Sequence, residues 1–247
     1  MRQIRIHIDG PLQVGTEIAL PPQAAAHAAR VLRLRSGDFL TLFNGDGQDY
    51  PAELVEVDAR AVRARVLAAQ PPANESPLRI VLAQALARGE KMDWIVQKAT
   101  ELGAAAIVPL LTERSEVKLD DARGAKRVAH WRAVAISACE QSGRATIPSI
   151  DAPRPLETWL ASRPADSDAM RLVLHPGSGG VRPREMKLTA PCEVSLAVGP
   201  EGGFGERDLA ALRDAGFRAL SLGPRILRTE TAGLAAIAAL QALYGDA

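Results

Sequence analysis

Ile4, Ile6 and Ile8 alternate with Gln3, Arg5 and His7, the period of a half-buried strand that presents Arg5 and His7 on its open face. Phe39 to Phe43, the turn Asn44-Gly45-Asp46-Gly47 and Tyr50 to Val57 predict a hairpin, and Ala61 to Leu67 a further strand. A helix over about Pro22 to Leu34 interrupts these short strands, so the first seventy or so residues read as a small β-barrel. The polar, proline-rich stretch Gln70 to Pro77 has the composition of an interdomain linker, and places one domain over 1–72 and a second over 73–247.

Beyond the linker the pattern alternates between apolar runs and helical spacing. Leu78 to Leu86, Ala106 to Leu111, Arg171 to Leu174, Val194 to Val198 and Ala219 to Leu222 read as strands. Met92, Ile95, Val96, Ala99 and Leu102 recur at helical spacing before Gly103, and helices also fit Trp131 to Cys139, Gly205 to Ala215 and the stretch from Thr231. Such alternation predicts a mostly parallel sheet with helices on both faces.

Composition adds little to this picture. The 247 residues are 47% hydrophobic and 24% charged, which suits a globular protein with a sizeable core. The longest apolar stretches fall short of the roughly 20 residues that span a bilayer, and the first residues open no signal-peptide core, so a cytoplasmic protein without a membrane partner is expected. Cys139 and Cys192 lack metal-ligand spacing, so no metal site is expected. The net charge of +1 is far below that usual for a protein that only coats nucleic acid. Arg30, Arg33 and Arg35, however, lie in a segment with no acid between Glu17 and Asp38, where they read either as phosphate contacts or as a solvated face.

Candidate chemistry concentrates near the C-terminus. Gly199-Pro200-Glu201-Gly202-Gly203 and Leu222-Gly223-Pro224 leave two strands, put bare backbone where a ligand can approach, and are followed by Arg228 and Glu230. They read as ligand loops or as structural turns. His175, at a strand end before Pro176, is the one histidine placed like a site residue. Walker A, dinucleotide-fingerprint, G-x-S-x-G and H-E-x-x-H patterns are all missing.

Taken together, Gln84-Ala85-Leu86, Lys91-Met92-Asp93, Gln97 to Gly103, Pro109, Glu113-Arg114-Ser115, Glu140 to Arg144, Gly199 to Gly203 and Leu222 to Ala232 resemble the RsmE family. His27, Val31-Leu32-Arg33 and Gly37-Asp38 resemble its RNA-binding, PUA-like barrel. The stretches 119–127 and 162–168 are the least family-like and read as variable loops.

The resemblance implies a SPOUT methyltransferase, an α/β fold whose C-terminal segment threads a trefoil knot. Its activity is S-adenosylmethionine-dependent methylation of N3 of a uridine in small-subunit (16S) ribosomal RNA, with an assembled subunit as substrate and a homodimer as the working form. Carried onto this chain, the resemblance gives cofactor contacts at Leu174, His175, Pro176, Gly199, Pro200, Glu201, Gly202, Gly203, Leu222, Gly223, Ile226, Leu227, Thr229, Thr231 and Ala232. Arg228 or Arg144 would stabilise charge on the uracil, and Glu201 or Glu230 would orient the base or take the N3 proton. Arg5, His27, Arg30, Arg33 and Arg35 are the expected RNA contacts. Two other readings stay open: a SPOUT enzyme acting on transfer RNA or large-subunit RNA, and a noncatalytic RNA-binding assembly factor.

Overall fold

The computed structural model describes residues 4–58, 61–72, 74–116, 121–163, 169–176, 179–189 and 191–247. Its backbone divides into two units, one running to Glu75 and taking in Cys139–Ile147, the other formed by Ser76–Ala138 and Pro148–Ala247. The first unit thus includes a short stretch from far along the chain that a division at 72 and 73 does not contain.

In the first unit, β1 (Arg5–His7), β2 (Glu17–Ala19), β3 (Phe39–Phe43), β4 (Tyr50–Val57) and β5 (Val62–Val66) form one sheet in the order β1-β3-β4-β5-β2. β1 lies parallel to β3, and the other pairs are antiparallel. Tyr50, Ala52 and Leu54 alternate inward along β4 and pack with Ile6, Leu40, Leu42 and Val62. Asn44 and Asp46 fold the hairpin turn by accepting from the N–H groups of Asp46 and Gln48, and Gly45 takes φ 91°. The helix expected over 22–34 is shorter and divided. α1 (Pro22–Ala26) widens into a π-helical turn, His27–Val31, closed by the Leu32 N–H on the His27 carbonyl at 3.0 Å, and Arg33 leaves it at φ 54°. Such turns are frequent at functional sites.

The expectation that Arg5 lies on an open strand face is corrected. Its side chain is only 5% exposed, donates to both oxygens of Asp49 at 2.7 and 2.8 Å and to the Arg144 carbonyl at 3.0 Å, and stacks over the Phe43 ring. Period-two alternation holds, but the second face of β1 is covered by the returning stretch. There Arg144, 4% exposed, donates to Glu75 at 3.0 Å, Glu75 accepts from the Thr146 N–H, and Glu140 accepts from the His7 N–H. Cys139 packs against Phe43, and burial pushes its thiol up to about 12, which leaves it unreactive. Arg144 is therefore a buried brace of this unit. Arg144→Met should lower stability by roughly 1–3 kcal/mol, because it strips Glu75 of a charged donor, while leaving cofactor affinity unchanged. Urea denaturation and calorimetry would measure both.

The second unit carries β6 (Leu78–Ala85), α2 (Lys91–Glu101), β7 (Ala104–Leu111), most of α3 (Asp121–Ser142), β8 (Ser149–Ile150), β9 (Arg154–Pro155), α4 (Leu156–Ala161), β10 (Met170–Leu174), β11 (Cys192–Val198), α5 (Glu206–Asp214), β12 (Arg218–Leu220) and α6 (Thr229–Tyr244). The strands form a parallel sheet in the order β12-β10-β11-β6-β7-β8, with β9 also on β7. All of β6 except Arg79 is buried, as expected of a strand covered on both faces. On one face Val81, Ala83, Val108, Val173 and Ala197 pack with Trp159 of α4 and Leu212 of α5, while α6 lies over β6 and β11 beside α2.

Met92, Ile95, Val96 and Ala99 bury one stripe of α2, and Gly103 ends the helix at φ 86°. Asp93 accepts from Trp131 Nε1 at 3.1 Å and lies 2.7 Å from His130 Nε2, so it ties α2 to α3. The expected loop over 119–127 is also corrected. α3 begins at Asp121, and the charged run from Arg123 to Arg127 is mostly its solvent face. Leu119 and Asp120 lie outside the described residues, as do 164–168 of the other expected loop. No helix among the described residues is long and apolar enough to cross a membrane.

Candidate active site

Three connections meet at the carboxyl ends of β10, β11 and β12, the place where parallel α/β sheets bind ligands. They enclose a cleft of about 850 Å³, a volume that suits a small-molecule ligand. Leu174, His175 and Pro176 come from the first connection, and Gly199, Pro200, Glu201, Gly202 and Gly203 from the second. Leu222, Gly223, Ile226, Leu227, Arg228, Thr229, Glu230 and Ala232 come from the third and the first turn of α6. Thr231 is exposed and does not line the cleft, because α6 starts at Thr229 and two residues turn the side chain roughly 200° around the axis. Arg144 does not line it either.

Local chemistry shapes the second connection. Pro200 to Gly203 is a tight turn, with the Gly203 N–H on the Pro200 carbonyl at 2.8 Å and Gly203 at φ 69°. Arg114 Nη1 donates to the Gly202 carbonyl at 2.9 Å. Asp208 caps α5 by accepting from the Gly205 N–H at 3.0 Å and also accepts from the Glu113 N–H at 3.1 Å, so the Glu113-Arg114-Ser115 stretch braces the glycine loop. A Cβ on Gly199 would stand 3.0 Å from the Phe204 nitrogen, a contact tight enough that the backbone opposite would have to give way.

A buried relay joins the elements beneath. Gln84, with no exposed surface, donates from Nε2 to Thr229 Oγ1 at 3.0 Å, and Thr229 donates to the Gly199 carbonyl at 2.6 Å. The Thr229 hydroxyl is thus occupied in holding two of the three connections together.

At the mouth, the two carboxylates have different surroundings. Glu201 Oε1 accepts from the Arg88 N–H and from Lys91 Nζ, each at 3.0 Å. Burial alone would push its carboxyl up, but the donated N–H groups and the Lys91 ammonium outweigh that and hold it below the usual range. Glu230 Oε2 is buried with no hydrogen-bond donor on it, and Lys91 Nζ stands 3.4 Å away as an ionic neighbour. The lysine, bonded to Glu201, has its own pKa raised. Arg228 is exposed at the start of α6.

A family profile described as an RNA methyltransferase domain matches residues 74–241, and one described as an RNA methyltransferase PUA domain matches 20–67. The ribosomal RNA small subunit methyltransferase E of Buchnera aphidicola from Schizaphis graminum is 35% identical over 242 residues, covering 98% of this chain and 97% of its own. The chain belongs to the RsmE family of RNA methyltransferases. An RsmE from Neisseria gonorrhoeae, solved with S-adenosyl methionine, superimposes with a TM-score of 0.90 at 38% identity over 99% of both chains. A methyltransferase from Legionella pneumophila, solved with bound cofactor SAM, gives a TM-score of 0.90 at 41% identity over 100% of both.

In this RsmE-family chain, reasoning from sequence assigned no role to Lys91, Arg114, Gln84 or Ser221, although the first three fall within its quoted motifs. One signal was available for Lys91: a lysine at the first position of α2 opposes the helix dipole, a local conflict of the kind found at working sites. Of the expected RNA contacts, His27, Arg30, Arg33 and Arg35 are exposed around the π-helical turn, and Arg5 is not. Among the described residues no group of His, Cys, Asp and Glu stands close enough to hold a metal.

Proposed function

We propose that this chain transfers a methyl group from S-adenosylmethionine to N3 of a uridine in small-subunit ribosomal RNA. The observation that supports this reading most directly is the meeting of three bare-backbone connections in one cleft, with two carboxylates, Glu201 and Glu230, beside one lysine at its mouth. The residues present fit the cofactor. Gly203 and Gly223 turn through left-handed conformations with no protein atom within 4 Å of where a Cβ would stand, which leaves a cradle of peptide groups. When bound, the cofactor supplies an electrophilic methyl group on a sulfonium.

The chain's own part is to present the base, accept the N3 proton and stabilise charge on the uracil oxygens. Glu201 is committed to Arg88 and Lys91, so Glu230 is the proton acceptor, and Arg228 at the rim stabilises the developing negative charge. The segment between β12 and α6, which returns across the sheet ends, is the stretch we assign to the knot. The working form is a cytoplasmic homodimer acting on the assembled small subunit.

The exposed cations around the π-helical turn dock the RNA. Arg33→Asn keeps the left-handed backbone and removes the charge, so RNA affinity should fall and the slope of log K against log salt should shrink by about one. A filter-binding series across salt would measure this. Nucleoside analysis of small-subunit ribosomal RNA from cells with and without the gene tests the activity itself. An unchanged content of N3-methyluridine would refute it.

A further inference from the structure

Lys91 offers a role that the cleft's shape alone does not reveal. Its ammonium stands 3.0 Å from Glu201 and 3.4 Å from Glu230, so two carboxylates from different connections face one cation. It sits on the first residue of α2, where the helix dipole disfavours a positive charge, so the helix itself gains nothing from it. Arg88, one turn earlier, adds its backbone N–H to the same Glu201 oxygen, so Glu201 is held from two directions. Glu230 Oε2 has that same ammonium, 3.4 Å away, as its ionic neighbour. The other charged groups lining the cleft are Arg114 from the connection after β7, His175 from that after β10, and Arg225 and Arg228 from the segment before α6.

We propose that Lys91 is a positioning residue for methyl transfer: it clamps Glu201 as a carboxylate and, with the same ammonium, holds Glu230 in place as the acceptor of the N3 proton. This deepens the methyltransferase reading and rests on it. Without the cation, Glu201 loses a donor that holds its carboxyl below the usual range and takes up a proton more readily. The raised pKa of the lysine keeps it charged through neutral pH.

The test compares wild type, Lys91→Met and Lys91→Arg as full-length chains in three measurements. In single-turnover methylation of small subunits, Lys91→Met should move the acid limb of the rate to higher pH by about one unit, so that below the limb the rate falls about tenfold. Lys91→Arg should restore the limb. S-adenosylmethionine affinity by calorimetry should stay within a few fold in both variants. Carbon-detected NMR titration of Glu201 should show its carboxyl rising in Lys91→Met and not in Lys91→Arg, whether or not the chain methylates RNA. An unmoved acid limb, or loss of cofactor affinity in step with rate, overturns the positioning role. A wild-type chain that methylates no RNA while the Glu201 titration still shifts overturns the functional reading and keeps the clamp.

Discussion

Gly202→Val should abolish the stabilisation that S-adenosylmethionine confers while leaving the unliganded chain folded. Because the cofactor binds the folded cleft and not the unfolded chain, its presence at about 100 times its dissociation constant should add about 2.7 kcal/mol, read as a rise in melting temperature. Gly202 adopts no left-handed conformation, and the nearest atom to a Cβ there is Arg114 Cβ at 3.5 Å, an ordinary contact. A Cβ is therefore accommodated here, and the methyls of valine would crowd the cleft that Gly202 and Arg114 line together. Gly199 is the contrasting case. A Cβ there meets the Phe204 nitrogen at 3.0 Å and the Gly203 carbonyl carbon at 3.1 Å, so Gly199→Ala should lower the melting temperature with or without cofactor. An undiminished shift in Gly202→Val would show that the cofactor does not lie against this turn.

The elements that local patterning specifies are the ones the sequence made legible. β7 is a continuous apolar run, and β6, β10 and β11 are apolar apart from Arg79 and Gln84, Arg171, and Glu193 and Ser195, while α2 carries its stripe and its glycine stop in plain order. β2, β8, β9 and α4 went unread. Each is short, from two to six residues, too brief for a period to register. Arg5 shows the deeper limit. Alternation correctly separated its face of β1 from the Ile6 face, but whether that face meets water depends on residues 139–147, more than 130 positions away. The same distance hid the role of Arg144, which lies in a motif rich enough in polar residues to look catalytic yet is bonded to Glu75 in the interior of the first unit. Burial of a charge is decided by tertiary packing, and a single sequence carries no local signal for it.

The cleft was more legible than the interior because glycine and proline announce it. Both connections from β11 and β12 must bend sharply and leave backbone bare, so their composition reports a geometric demand directly. The division of labour between Glu201 and Glu230 was not legible. Both are acids beside a turn, and only tertiary packing puts two hydrogen bonds on one oxygen of Glu201 while Glu230 Oε2 is left with Lys91 as an ionic neighbour.

That difference predicts unequal effects of removing the two charges. Glu230→Gln keeps the shape of the side chain, so cofactor and RNA should still bind, but of the two carboxylates lining the cleft among the described residues the one not held by two hydrogen bonds is gone. The turnover rate at saturating RNA and cofactor should fall by about 10²–10⁴. Glu201→Gln can still accept from the Arg88 N–H, and its loss of rate should be much the smaller of the two. Arg228→Ala should also lower the saturating rate while RNA affinity stays within a few fold, because charge on the uracil oxygens develops only as the proton leaves. Single-turnover assays on small subunits, paired with binding measurements, separate these outcomes. If Glu201→Gln proved the more damaging of the carboxylate changes, the proton would leave by way of Glu201. If Arg228→Ala lost RNA affinity with an unchanged saturating rate, Arg228 would be a docking residue and charge stabilisation would have to come from another cation of the cleft.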